Sequence, residues 1–107
     1  MDISVIIVNY NVKELLGQCI NSIVSASGKL NVEIIVVDNN SFDGSVEYLR
    51  DKFNGLKQLK IIDSPVNLGF AKANNLGAKE ASGEYLLILN PDTILQEDTL
   101  EKSLEFY

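Results

Sequence analysis

"VEIIVVDNNS", residues 32–41, decides the fold. Apart from Glu33, the residues ahead of Asp38 are all Val or Ile, and a run this short and β-branched reads as a strand covered on both faces. It stops at an acid followed by Asn39-Asn40-Ser41, residue types that turn a chain. Beyond the turn, Val46, Leu49 and Phe53 share one face of a helix. A buried strand, a polar turn and an amphipathic helix make one unit, and the unit recurs in both directions.

Upstream, "ISVIIVN" (residues 3–9) is a second such strand, and Asn11 with Glu14 three residues later predicts a helix start of the capping-box type. Val12, Leu15, Leu16, Cys19, Ile20, Ile23 and Val24 then form one apolar helical stripe. Downstream come "LKIIDS" (59–64), a small-residue helix over 69–83 closed by Gly83 at its C′ position, and "EYLLIL" (84–89). Asp98 and Glu101 open a last predicted helix running to Tyr107. Strands alternating with helices imply βαβ units: an α/β fold, a mostly parallel sheet with helices on both faces.

Composition narrows the chemistry. At 107 residues the chain is one domain with one core. A net charge of −6 excludes a broad basic footprint, so nucleic acid is not a partner, although a small phosphorylated ligand needs only local donors. There is one cysteine and no histidine, which excludes a disulfide framework, a Cys/His zinc site and histidine-based triads. Catalysis must use carboxylates, amides and backbone. The acidic start MDISVIIVNY fits neither a signal peptide nor a spanning helix, which predicts a cytosolic protein or one at the cytosolic face of a membrane.

Ligands of parallel α/β sheets bind beyond the carboxyl ends of the strands. Those ends carry Asn9-Tyr10-Asn11, Asp38-Asn39-Asn40-Ser41, Ser64-Pro65-Val66-Asn67 and Asn90-Pro91-Asp92. Each turn also has an ordinary reading: Asn11 and Ser41 as helix caps, Tyr10 as an interface aromatic, and Asn90-Pro91-Asp92 as a turn with Asp92 capping a helix. Asp38 directly follows an apolar strand, where desolvation calls for compensating donors or a ligand. Lys72, near a helix N-terminus, is placed to help hold a phosphate. No G-x-G-x-x-G follows the first strand and no G-x-x-x-x-G-K-[ST] occurs, which removes dinucleotide-dependent dehydrogenases and P-loop NTPases.

"SVIIVNYN" (4–11), "VEIIVVDNNSFDGS" (32–45), "NLGFAKANNLG" (67–77) and "YLLILNPDT" (85–93), in this order and spacing, resemble the successive motifs of inverting family 2 glycosyltransferases. The NPD form and the N-x-G-F-A-x-A-N-N stretch are similar to the rhamnosyltransferase-like branch. The resemblance implies a Rossmann-like nucleotide-binding half of a GT-A-type fold. It also implies transfer of a sugar from a nucleotide-diphosphate sugar, of uridine or deoxythymidine type, to a saccharide or lipid-linked acceptor, in cell-surface polysaccharide synthesis.

Asp92 stands where the family's D-x-D motif ends, on the acid that binds a divalent metal, Mn2+ or Mg2+, which grips the donor diphosphate. The motif's first acid, near the ribose, is Asn90 here, so one charge is missing. Asp38 matches the acid that contacts the base, and Tyr10 with the backbone near Val8 matches the edge of the base pocket. Asn9, Asn40, Asn67, Lys72 and Asn74 complete the donor-binding set implied. Where many members carry A-R-N, this chain has Ala73-Asn74-Asn75, leaving Lys72 as a weaker substitute for an arginine.

The family's catalytic base and acceptor site lie beyond the D-x-D region. Residues 1–107 are therefore expected to be the N-terminal nucleotide-sugar-binding part, inactive alone, with the acceptor-binding part absent. An uncovered fourth strand is expected to drive self-association through that face. Two other classes remain: a non-catalytic nucleotide-sugar-binding module and a protein-interaction module.

Overall fold

The computed structural model describes residues 2–95, so the helix expected from Asp98 lies outside the described residues. The elements are β1 (Ile3–Asn9), α1 (Lys13–Ala26), β2 (Val32–Asp38), α2 (Ser45–Lys52), β3 (Leu59–Asp63), α3 (Phe70–Glu80) and β4 (Tyr85–Leu89). Four strands form one sheet in the order β3-β2-β1-β4, every pair parallel. The chain steps outward from β1 through β2 to β3 and then returns to the far side of β1. Since parallel crossovers are right-handed, reversing direction places the last helix on the opposite face. Thus α1 and α2 cover one face and α3 the other, as the alternation predicts.

Pairing fixes which side chains go where. Ile3, Val5 and Ile7 align with Val32, Ile34 and Val36, and this set meets Leu16, Cys19, Ile20 and Ile23 of α1 and Leu49 of α2. The alternate set, Ile6, Val8, Ile35 and Val37, meets Ala73 of α3. Both central strands therefore carry Val or Ile on both faces along most of their length, since neither face is open to water there. Close contact on the α3 side requires Gly77: a Cβ there would stand 2.7 Å from Ile6 Cγ2 and 3.2 Å from Val37 Cγ2.

The sequence misplaces several details. Within the α1 stripe, Leu15 and Val24 are exposed, 44% and 39%, because the covered arc is narrower than the apolar one. Asn11 does not cap α1. It lies outside the helix with φ 56°, a left-handed conformation that Asn tolerates, and Val12 at the N-cap makes no side-chain cap bond. Ser41 does not cap α2, whose N-cap is Gly44.

The third helix ends at Glu80 with Ala81 extended, so Gly83 is not its C′ residue. Gly83 instead lets the chain run against β1, since a Cβ there would fall 2.5 Å from the Ser4 nitrogen. Its N–H donates to Ser4 Oγ at 2.8 Å, and Ser4 Oγ donates to Glu33 at 2.8 Å. Burial raises the Glu33 carboxyl pKa, but hydrogen bonds from Ser82 and Ser4 and the Lys60 charge outweigh it and leave Glu33 below the usual carboxylate range.

Fourth-strand cover is one-sided. Leu87 and Leu89 pack on the α1 side, while Leu86 and Ile88, on the α3 side, are 51% and 52% exposed. β4 is an edge strand among the described residues. No helix among them is long and apolar enough to cross a membrane.

Candidate functional site

The strand order reverses between β1 and β4, and ligands of open α/β sheets bind outside the strand ends at such a switch point. A cavity of about 530 Å3 opens there, lined by Val8, Tyr10, Val12, Leu15, Asn39, Asn67, Gly69, Phe70, Asn90, Pro91 and Asp92. Its walls come from the turns after β1, β2 and β4, the start of α1, and the approach to α3.

The turn after β4 is built by its own sequence. Asn90, Pro91, Asp92 and Thr93 form a β-turn closed by Thr93 N–H donating to Asn90 O at 3.0 Å, with Pro91 at the position its fixed φ favours. Asp92 is exposed, and no hydrogen bond to its carboxylate joins it to another described residue. Beneath the turn, on α1, lies Cys19. Burial, together with the Asp92 charge, pushes its thiol up to about 11.

Asp38 lies deeper, 2% exposed, with both carboxylate oxygens engaged inside the protein. Oδ1 accepts from Asn9 Nδ2 at 2.9 Å and Oδ2 from Ser41 N–H at 3.0 Å. Two of its roughly four acceptor sites are thereby taken. Ser41 Oγ accepts from Asn11 N–H at 2.9 Å, and Asn11 Oδ1 accepts from Phe42 N–H at 2.8 Å, so the turns after β1 and β2 are laced together. The lacing brings Phe42 edge-on to Tyr10, ring centroids 6.0 Å apart.

Asp43 supplies the caps that Asn11 and Ser41 do not. It accepts from Lys13 N–H at 3.2 Å at the start of α1, and from Ser45 N–H at 3.0 Å and Ser45 Oγ at the start of α2. Burial raises its carboxyl pKa, and these bonds more than reverse that, leaving it below the usual range.

The third wall is held by amides. Asn39 Oδ1 accepts from Leu68 N–H at 2.7 Å and Asn67 Oδ1 from Gly69 N–H at 2.9 Å. Gly69, with φ 80°, then delivers Phe70 as the first residue of α3. The first turn of α3 carries no acid, so its exposed N–H groups leave an uncancelled positive end beside the cavity.

Of the residues expected to hold a donor, Val8, Tyr10, Asn67, Asn90 and Asp92 share this cavity wall. The remainder do not line it. Asn9 and Asp38 are buried behind it, Asn40 is exposed with φ 66°, and Lys72 is exposed on α3. Asn74 is buried on α3 with its Oδ1 unpartnered. Sequence reasoning missed Val12 and Leu15, absorbed into a core stripe, and Asn39, Gly69 and Phe70. For Phe70 a signal existed: a large aromatic directly after a glycine at a helix start.

Among the described residues no three acidic, cysteine or histidine side chains gather into a metal cage. The one cavity-wall carboxylate, Asp92, has no hydrogen-bond partner among the described residues. A single carboxylate fits Mg2+ or Mn2+ in the mode these ions favour, shared between one or two acids and substrate phosphates.

The model of the family described as glycosyl transferase family 2 matches residues 4–107. The chain belongs to glycosyl transferase family 2. An uncharacterized glycosyltransferase of Haemophilus influenzae is 36% identical over 104 residues, 97% of this chain and 41% of that protein. The minor teichoic acid biosynthesis protein GgaB of Bacillus subtilis is 33% identical over 107 residues, 99% of this chain and 12% of that protein. Among solved structures, S. aureus TarS 1-349 in complex with UDP-GlcNAc superposes with a TM-score of 0.85 at 28% identity, covering 99% of this chain and 31% of that one. This family 2 chain thus spans well under half the length of these relatives, and its fold is that of GT-A glycosyltransferases.

Proposed function

We propose that this chain is the donor-binding part of an inverting glycosyltransferase, which moves a sugar from a uridine- or deoxythymidine-diphosphate sugar to a hydroxyl of a saccharide or lipid-linked acceptor. The observation that carries the reading is the cavity at the β1/β4 switch point. It draws residues from all four family motifs to one wall, and it combines an apolar side with amides, a helix N-terminus and one exposed carboxylate. Val8, Val12, Leu15 and the Tyr10 ring offer the flat apolar surface that a pyrimidine base needs. Asn39, Asn67 and Asn90 supply amide groups for polar edges.

The N-terminus of α3, with Lys72 in its first turn, favours negative charge at the diphosphate. Asp92, with a divalent Mg2+ or Mn2+, completes the diphosphate site, and that ion when bound supplies Lewis-acid stabilisation of the charge on the leaving nucleoside diphosphate. Asn90 in place of an acid leaves a weaker site, so metal and donor are expected to bind together. Asp38 contacts the base only through acceptor sites that Asn9 and Ser41 leave open, and Asn9, Asn40 and Asn74 act by shaping the loops and α3. No catalytic base is assigned to this chain.

A role in cell-surface polysaccharide synthesis is supported by the likeness to GgaB, and a uridine nucleotide by the likeness to TarS. The NPD form supports a place beside rhamnosyltransferase-like members. A cytosolic setting or the cytosolic face of a membrane suits a nucleotide-sugar donor. The half-exposed Leu86 and Ile88 on edge strand β4 support self-association of the chain. The test is chemical-shift mapping with UDP, dTDP and GDP in the presence of Mg2+. Shifts should cluster at Val8, Tyr10, Asn39, Asn67 and Phe70 for the pyrimidine nucleotides; absence of any shift at these positions favours an interaction module instead.

A further inference from the structure

Resting on the donor-site reading, we propose that α1 is the seat of the Asp92 turn: Ser22 and Cys19 lock residues 90–95 onto the helix, and Ser22 is the positioning residue that fixes the Asp92 carboxylate at the cavity wall. The need for such a lock comes from the sheet. Pairing between β1 and β4 ends at Ile7 with Leu89, so the chain leaves the ladder at Asn90 and the Asp92 turn has no strand to hold it.

Two bonds to α1 take over. The Leu95 N–H donates to Ser22 Oγ at 3.0 Å, and Cys19 Sγ lies 3.8 Å from Asn90 O, the same carbonyl that closes the turn. Cys19 and Ser22 are three residues apart on α1 and so share one side of it. The two contacts bracket the turn, one at its first residue and one just past its last.

The chemistry of each side chain suits the task. The Ser22 hydroxyl donates its only proton to Cys19 O at 2.7 Å, which turns its lone pairs toward the Leu95 N–H. Alanine in its place would still favour the helix but could accept nothing. Cys19 is fully buried, and its thiol, pushed up to about 11 by burial and the Asp92 charge, remains a donor at neutral pH rather than a second anion beside Asp92. Leu95 itself packs, half-buried, on the α1-side core.

The test uses the chain's single cysteine as its own reporter. Cys19 is fully buried against Asn90, so lifting residues 90–95 from α1 should open it to a thiol reagent, and unfolding stability measured in parallel separates this local opening from global unfolding. Ser22→Ala should speed labelling roughly fivefold, the equilibrium factor for the net worth of one hydrogen bond, and lower the melting temperature by only the few degrees that the same bond accounts for. Ser22→Thr, which keeps the hydroxyl, should label near the wild-type rate.

In titrations with UDP, the affinity gained on adding Mn2+ should shrink in Ser22→Ala and return in Ser22→Thr, while affinity without metal stays the same. Labelling of Ser22→Ala at the wild-type rate overturns the lock. Faster labelling with the Mn2+ gain unchanged overturns the positioning role. Wild-type protein that gains no UDP affinity from Mn2+ removes the donor-site reading and the role given to Asp92, and labelling then judges the lock by itself.

Discussion

Replacing Asp38 tests whether the acid at the end of β2 holds the rim together. Its two oxygens accept from Asn9 Nδ2 and Ser41 N–H, and Asp38 and Asn9 are 2% and 0% exposed. Asp38→Ala strands the Ser41 N–H and leaves Asn9 Nδ2 only its longer 3.3 Å bond to Ser41 Oγ; at about 1–3 kcal/mol for an unmet buried group, with a smaller loss at Asn9, the total comes to about 3 kcal/mol. For a domain of this size that is a fall of roughly 12 °C or more in melting temperature.

Asp38→Asn should behave differently. Its remaining carbonyl oxygen can keep the Ser41 N–H, and its new amino group faces Asn9, whose own Oδ1 is buried without a donor. An amide flip of Asn9 pairs the two, so the cost should stay below about 1 kcal/mol, the net worth of one hydrogen bond. Urea unfolding of the two variants beside wild type measures both numbers. Equal damage from Asn and Ala, or an Ala variant within ~0.5 kcal/mol of wild type, the usual range for surface changes, would refute the reasoning.

Gly77→Ala places a methyl 2.7 Å from Ile6 Cγ2 in a fully buried layer. It should cost about 1–3 kcal/mol by urea unfolding despite the better helix propensity of alanine. Glu33 has a folded-state pKa below its ordinary 4.5, so the stability it contributes is present above that value and is lost as pH falls through the lower, folded one. Glu33→Gln should therefore narrow the difference in melting temperature between neutral and strongly acidic solution; an unchanged difference argues that the Ser4 and Ser82 bonds do not favour the charged form. Sedimentation over a concentration series should show association that weakens when Leu86 and Ile88 are made polar. A monomer at every concentration would mean that this face stays bare.

Strands and their order of use were legible because four short apolar runs, each ending in a polar turn, have few other ways to be buried. The two-sided cover of β1 and β2 followed from their Val and Ile runs, 5–8 and 34–37, and the switch-point rule directed attention to the cavity. The caps were not legible. Asn11, Ser41 and Asp43 make bonds across about thirty residues, to partners that no local window contains. Gly83 resembled a helix stop, but the close approach of β1 that requires it is tertiary. Leu15 and Phe70 read as core or surface, since an apolar side chain on a ligand wall carries the same periodicity as one in a core. Asp38 was singled out correctly as a compensated buried acid, but that its donors are Asn9 and Ser41 emerged only once β1 and β2 were set side by side.

The central claim, that Asp92 and a divalent ion together hold a nucleotide diphosphate in this chain, is tested most directly by calorimetric titration of UDP with and without Mn2+. Wild type, Asp92→Ala and Asp63→Ala should be compared, Asp63 being an exposed acid at the end of β3 that does not line the cavity. Mn2+ should tighten UDP binding to wild type and to Asp63→Ala alike and add nothing to Asp92→Ala. Equal loss in both variants, or a full Mn2+ gain without Asp92, would contradict the account.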